Sequence, residues 1–240
     1  MIIALANLHS NLLALAEILS YAERMKEEGT SVEAVYVISP FGLMPYPREV
    51  YELLHEKPEF IRVVAGKYDR LLAKWSELSE EEKESYGVVA EVLDVYWDML
   101  GHEGRKWVRN MEESFLTERF GDNEFYFVYG LLEAPDEMPL ENEPPSYYEA
   151  KFAELRKYEV IVVAGRKQYV VPTRIGKFVC PGVAGLGRTA DFAVIDTKGL
   201  AVSFDSVEYK VSEVEDAIEQ LDVSAKAKEF LKDALYREVF

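Results

Sequence analysis

The sequence predicts an α/β fold with an at least partly parallel sheet, contained in a single domain of residues 1–240. Three short apolar runs indicate buried strands, namely Met1–Ala6, Val35–Ile38 and Ile61–Ala65. A polar loop and then a helical pattern follow each run. This repetition of strand, loop and helix is typical of parallel pairing. No internal repeat, low-complexity tract or linker divides the chain.

Two helices are predicted between these strands, and a longer helical pattern follows the third strand. Leu12–Met25 carries apolar residues at helical spacing, and a second helix is predicted from Pro47 to about Glu56, with proline suited to its first turn. A longer helical pattern covers residues 70–113, with breaks predicted near Ser85–Gly87 and Gly101–Gly104. We interpret residues 70–113 as a helical insertion in the domain.

An antiparallel hairpin is predicted after the insertion. Phe115–Phe120 and Glu124–Tyr129 form its strands, and Gly121–Asn123 closes it. The acidic, proline-rich stretch Glu133–Pro145 is predicted to be an exposed loop. A further helix is expected over Ser146–Arg156.

The last third is dominated by short strands, whose spacing predicts a meander that adds a second sheet. The predicted strands are Val160–Ala164, Val170–Thr173, Lys177–Cys180, Ala190–Asp196 and Val202–Val207. Two amphipathic helices follow, Ser212–Leu221 and Ser224–Tyr236, and each is expected to begin with a serine cap.

Composition limits the classes of function. Hydrophobic residues make up 49% of the chain and charged residues 30%, an ordinary globular balance. The net charge of −17 argues against nucleic acid or anionic lipid as a partner. No apolar run approaches the ~18 residues of a membrane span. The single cysteine, Cys180, and the lack of a basic segment before the first apolar run predict a cytoplasmic protein in which this thiol is a buried structural residue.

Five loops carry a resemblance to a known family. They are Asn7–Asn11, Ser39–Pro40, Gly66–Asp69, Tyr129–Gly130 and Gly165–Gln168. In this order they resemble the motifs Asp-x-His-x-Asn, Gly-Asp, Gly-Asn-His-Asp, His-Gly and Gly-His-Thr-His of the calcineurin-like metallophosphoesterases, in their small bacterial and archaeal branch. The resemblance covers the whole chain. It implies an α/β/β/α sandwich of two mixed sheets flanked by helices.

The resemblance also implies a site with two divalent metals, but the residues at the ligand positions differ from the family's. Those positions hold Asn7, Pro40, Lys67, Tyr129, Arg166 and Gln168, and of the good ligands only His9 is kept. An ammonium such as that of Lys67 near 4 Å from a dication costs about 8 kcal/mol at an effective dielectric of ~20. Tyr68 replaces the general-acid histidine, and its ordinary pKa of ~10 is poorly suited to proton transfer near neutral pH.

Two classes of function follow. The first is a non-hydrolytic member whose remnant cleft binds phosphate or another small anion, or whose surface binds a protein partner, without any cofactor. Its candidate residues are Asn7, His9, Lys67, Tyr68, Asp69, Tyr129, Arg166 and Gln168. The alternative is a phosphoesterase with a rearranged site and a divalent metal such as manganese. For Lys67, pairing with Asp69 or a nearby acid, or pointing to solvent, also remains open, and the same holds for Arg166.

Overall fold

A computed structural model describes residues 1–111 and 114–237, which form two five-stranded sheets packed face to face with helices outside them. The strands are β1 Ile2–Ala6, β2 Ala34–Ile38, β3 Ile61–Val64, β4 Phe115–Phe120, β5 Asn123–Val128, β6 Val160–Val163, β7 Gln168–Pro172, β8 Lys177–Pro181, β9 Thr189–Ile195 and β10 Val202–Glu208. The helices are α1 Leu12–Glu27, α2 Pro47–Glu56, α3 Lys67–Lys74, α4 Glu80–Glu84, α5 Val88–Met99, α6 Gly101–Arg109, α7 Pro145–Lys151, α8 Val211–Gln220 and α9 Ala225–Arg237.

Both sheets are mixed. The first has the order β10-β9-β1-β2-β3, with β1, β2 and β3 parallel and β9 and β10 antiparallel. The second has the order β4-β5-β6-β8-β7, in which β5, β6 and β8 are parallel. This confirms the predicted sandwich of two mixed sheets flanked by helices.

Alternation along the strands divides the core into layers. In β1, Ile2, Ala4 and Ala6 face the second sheet, whereas Ile3 and Leu5 face the helices. The contact between the sheets includes Tyr36 stacked on Phe127 with ring centroids 3.9 Å apart. Because both faces of β1 are covered, every residue of that strand is buried and the strand is uniformly apolar.

The predicted meander is only partly correct. β6, β7 and β8 do extend the second sheet, but β9 pairs antiparallel with β1 and carries β10 into the first sheet. β9 and β10 therefore complete the sheet whose central strand, β1, lies at the start of the chain. Nothing in the local spacing distinguishes these two destinations, because the spacing of a strand does not specify the strand with which it pairs.

Several predicted helix boundaries also need correction. α3 begins at Lys67 rather than at Arg70, so the candidate residues of that loop form its first turn. The predicted break at Gly101–Gly104 is confirmed at its first residue, since α5 ends at Met99 and α6 begins at Gly101, which has φ 63°. α8 begins at Val211 and is not capped by Ser212, whereas the Ser224 hydroxyl does accept a hydrogen bond from the Ala227 amide at 3.2 Å in α9. The predicted end of the insertion at Glu113 lies outside the described residues.

In the part of the chain that the structure describes, no helix has both the length and the apolar character needed to cross a membrane.

Candidate functional site

A cleft of about 590 Å³ opens at the carboxyl ends of β1, β3, β5 and β6. Open α/β sheets commonly place their binding sites at such an edge. The cleft is lined by Asn7, His9, Lys67, Tyr68, Tyr129, Asp136, Glu137, Met138, Pro139, Leu140, Glu141, Arg166, Val183 and Leu186. Six of the eight candidate residues predicted from the sequence therefore lie on one cavity, and the other two, Asp69 and Gln168, do not.

The loop after β1 forms the floor of the cleft in a conformation that most residues avoid. Asn7, His9 and Ser10 have φ values of 53°, 53° and 62°, in the left-handed region. Backbone hydrogen bonds tie this loop to the one after β2, from the Leu8 amide to Ser39 O at 3.0 Å and from the Ser10 amide to Pro40 O at 2.7 Å. The two loops thus hold each other in place.

Asp69 stands behind the cleft wall rather than in the cleft, which corrects its place among the candidate residues. Its side chain is buried, and its two carboxylate oxygens accept hydrogen bonds from the Phe41 amide at 2.9 Å and the Gly66 amide at 2.7 Å. Burial raises the pKa of Asp69 to about 6 against the opposing effect of these donors. Asp69 therefore links the loop after β2 to the loop after β3, and its role is structural.

His9 is a neutral, buried imidazole. Its ring packs on Gly42, where an added Cβ would lie 2.3 Å from His9 Nδ1, and it meets Tyr68 edge-on at 5.7 Å. Burial lowers the pKa of His9 to about 4. Burial also raises the pKa of Tyr68 to about 12, so neither ring readily exchanges a proton near pH 7.

The depressed pKa of His9 predicts a loss of stability in acid. The unfolded chain binds a proton at His9 near pH 6.5 and the folded chain only near pH 4, so this contribution is complete above 6.5 and is lost as the pH falls through that window. At pH 4.5 the loss amounts to about 2–3 kcal/mol. In urea denaturation between pH 7.5 and 4.5, His9→Asn should decline less steeply than the wild type by this amount. Asparagine tolerates the left-handed φ, and equal pH slopes would contradict the assignment.

Two cations face the cleft from different loops. Lys67 is the first residue of α3, and Arg166 follows β6; both are exposed. Among the described residues, neither has a carboxylate partner within 4.0 Å, and the Asp69 oxygens are directed to backbone amides. Of the alternatives left open for Lys67, an ion pair with Asp69 is therefore wrong, and Lys67 faces the cleft. We refer to Lys67 and Arg166 as the cleft cations.

Residues 133–143, the acidic loop, form the opposite wall. Arg70 fixes this loop to α3, because its guanidinium donates to Pro135 O at 2.8 Å and to Asp136 Oδ1 at 2.5 Å, and also to Ala65 O at 2.9 Å. Across the cleft, Lys167 pairs with Glu141 at 3.3 Å. Two of the three acids on the cleft are thereby neutralised, and Glu137 is the remaining one.

Gln168 lies away from the cleft, which corrects its place in the candidate set. It is the first residue of β7, and its Nε2 donates to Phe192 O at 3.2 Å and to Asp205 O at 2.8 Å. The side chain therefore joins the second sheet to β9 and β10 of the first. The sequence predicts a single loop over Gly165–Gln168, whereas the chain already enters β7 at Gln168.

The apolar part of the cleft was not predicted from the sequence; it is formed by Met138, Pro139, Leu140, Val183 and Leu186. The acidic loop was predicted to be exposed to solvent, and no residue of the turn after β8 was among the candidate residues. One signal was present: Met138-Pro139-Leu140 is an apolar island within an otherwise acidic stretch.

The residues present do not fit a dinuclear metal centre. No group of three or more His, Cys, Asp or Glu side chains suited to a metal ion occurs within residues 1–111 and 114–237. Asn7 Nδ2 donates to Gly165 O at 3.1 Å, and the Tyr129 ring packs so closely on Gly66 that an added Cβ there would lie 2.7 Å from it. Apart from His9, the loop positions that resemble the family's ligand positions thus carry neutral or cationic groups, whereas two dications need anionic or imidazole donors.

Cys180 is buried at the end of β8, and burial raises the pKa of its thiol to about 12. Since the thiolate is the reactive form, this cysteine is inert at neutral pH, in line with the predicted structural thiol.

Comparison with solved structures shows two informative similarities. The hypothetical protein PH1004 from Pyrococcus horikoshii OT3 is 33% identical and superposes with a TM-score of 0.87, covering 96% of this chain and 98% of that one. A metallophosphoesterase from Sphaerobacter thermophilus is 17% identical and superposes with a TM-score of 0.69, covering 96% and 97%. The second similarity establishes a shared fold. No family model and no curated protein matches the sequence.

Proposed function

The chain belongs to the calcineurin-like metallophosphoesterase superfamily, and from this premise we propose that it is a non-hydrolytic member whose cleft binds a small oxyanion such as phosphate. The observation that carries the proposal is the presence of the cleft cations, Lys67 and Arg166, at positions where the family places metal ligands. The positive charges of these two side chains then attract the anion in place of the metal ions.

Charge balance supports this assignment. The chain as a whole has 44 acids against 27 lysines and arginines. The cleft differs from this average among the described residues, because it presents two cations without a carboxylate partner, while Arg70 and Lys167 pair with Asp136 and Glu141. The cleft is therefore locally positive on a protein of net charge −17, which favours entry of anions over cations.

The position of Lys67 at the N-terminus of α3 also supports anion binding. It is the first residue of α3, where the helix dipole disfavours a positive charge by roughly 0.3–1 kcal/mol. Asp69 in the same turn supplies the favourable negative charge. Lys67 therefore does not stabilise α3, and an anion in the cleft would relieve the unfavourable interaction.

The described cleft lacks the groups that hydrolysis needs. A phosphoesterase of this fold requires two metals that activate water and stabilise the developing charge, and the donors of the described cleft do not fit them. The neutral His9 and the protonated Tyr68 supply no acid or base that titrates near neutral pH. Binding without turnover is what remains for these residues.

Metal content and metal-dependent turnover test the proposal. Purified protein should contain no stoichiometric manganese, zinc, iron or nickel by elemental analysis. Added manganese should not stimulate hydrolysis of a generic phosphodiester or phosphomonoester, because no donor set holds the ion. Saturable, metal-dependent turnover in the wild type that is lost in His9→Ala would overturn the proposal in favour of a phosphoesterase with a rearranged site.

A further inference from the structure

The cleft is much larger than a free inorganic anion. Its volume of about 590 Å³ lies within the ~300–1,000 Å³ typical of sites for drug-sized molecules. The cleft cations lie on one part of its wall, and Met138, Leu140, Val183 and Leu186 supply an apolar part. A site for phosphate alone needs no such apolar surface.

Leu140 is the clearest sign of an apolar subsite. Its side chain is 60% exposed, although its backbone is firmly held. The Leu140 amide donates to the Tyr147 hydroxyl at 3.3 Å, and the Tyr148 hydroxyl donates to Leu140 O at 3.0 Å. A single exposed leucine is ordinary on a protein surface, but this one lies on the wall of a cleft that Met138 and Val183 also line, so it belongs to a larger apolar surface.

The wall that carries Leu140 is anchored at several points. Arg70 holds Pro135 and Asp136 against the start of α3, as described above. Met138 Sδ lies 3.6 Å from Asn7 Nδ2, so the middle of the acidic loop touches the floor of the cleft. The apolar surface is therefore preorganised relative to the cleft cations, and a ligand pays little to order it.

We propose that the cleft binds an organic phosphate monoester, with the phosphate against Lys67 and Arg166 and an apolar or aromatic group against Met138 and Leu140. This inference rests on the proposed function and adds the ligand class to it. Glu137 also lines the cleft and is not neutralised by a described ion pair, so it disfavours a second anionic group at that wall. The ligand thus has one phosphate and an uncharged body.

Calorimetric titration in the presence of a chelator tests the ligand class with three probes. Inorganic phosphate reports the anion site alone, glycerol 3-phosphate adds a polar body, and phenyl phosphate adds an apolar one. Phenyl phosphate should bind at least about tenfold more tightly than inorganic phosphate, equivalent to about 1.4 kcal/mol, because its ring is removed from water. Glycerol 3-phosphate should bind about as weakly as inorganic phosphate.

Variants assign the gain to the proposed surface. Leu140→Ser should reduce the ratio of phenyl phosphate to inorganic phosphate affinity by about threefold or more, because burial of apolar area against the leucine is lost. The matched control is Tyr86→Ser, which removes an exposed apolar side chain outside the cleft lining and should leave the ratio unchanged. Both positions are exposed, so both variants should fold.

The outcomes separate this inference from the proposed function. If all three probes bind with equal affinity, or if Leu140→Ser leaves the ratio unchanged, the apolar subsite is wrong and the anion site stands. If no probe binds, both are wrong. If manganese in place of the chelator leads to turnover of phenyl phosphate, the proposed function is wrong, and the affinity ratio still decides the ligand class.

Discussion

Replacing both cleft cations by methionine should abolish the stabilisation of the protein by phosphate. At a phosphate concentration ten times the dissociation constant, binding stabilises the wild type by about 1.4 kcal/mol. For a domain of this size the melting temperature then rises by roughly 3–6 °C. In Lys67→Met/Arg166→Met the rise should disappear, because two charge-assisted hydrogen bonds of about 1.5–3 kcal/mol each are removed. Differential scanning calorimetry measures the shift.

A charge-matched control separates the site from the overall field. Arg174→Met/Lys226→Met removes the same two positive charges from exposed positions outside the cleft lining. This control should keep the full phosphate-induced shift. All four positions are exposed, so neither pair should change the intrinsic stability by much more than ~0.5 kcal/mol per substitution. A shift that persists in Lys67→Met/Arg166→Met would place the anion elsewhere.

Gly185→Ala should destabilise the fold by about 3 kcal/mol. A Cβ at this position would lie 1.8 Å from Leu8 O and 2.2 Å from Leu8 C, both backbone atoms of the loop after β1. The same loop is tied to Gly185 by hydrogen bonds, from the Gly185 amide to Asn7 O at 3.0 Å and from Asn11 Nδ2 to Gly185 O at 2.8 Å. A methyl group can be accommodated only if these backbone segments move apart, and overpacking of this kind typically costs ~1–3 kcal/mol.

Urea denaturation of Gly185→Ala measures this cost, and Gly29→Ala is its control. Gly29 has φ +88° but nothing within 4 Å of an added Cβ, so alanine at this position introduces backbone strain without a clash and should cost about 1 kcal/mol. The difference between the two variants isolates the close approach of the loops. If Gly185→Ala lowers the free energy of unfolding no more than Gly29→Ala does, the close packing of Gly185 against the loop after β1 is contradicted.

Much of the fold was predictable because its first half is local. β1, β2 and β3 are short apolar runs separated by loops and helices, and parallel pairing follows from that order. The hairpin of β4 and β5 was equally local, since a Gly121-Asp122 turn joins adjacent strands. The assignment of β9 and β10 to the first sheet was not predictable, because it depends on pairing with β1 nearly 190 residues earlier.

The candidate site could be predicted from the sequence where a loop resembles one of the family's motifs. Four of the five motif-like loops brought six candidate residues to one cleft. Asp69 and Gln168 were misplaced because the Asp69 carboxylate turns back to the Phe41 and Gly66 amides and Gln168 already belongs to β7. The apolar wall was missed because Met138 and Leu140 acquire their role only when Arg70 fixes the acidic loop over the cleft.

A crystal structure of the protein soaked with manganese and phosphate tests the central claim most directly, since it shows what holds the anion. We expect a phosphate with its oxygens within hydrogen-bonding distance of Lys67 Nζ and the Arg166 guanidinium, and no ion beside it. Two manganese ions bridged in the cleft, with the phosphate bound to them, would contradict the account.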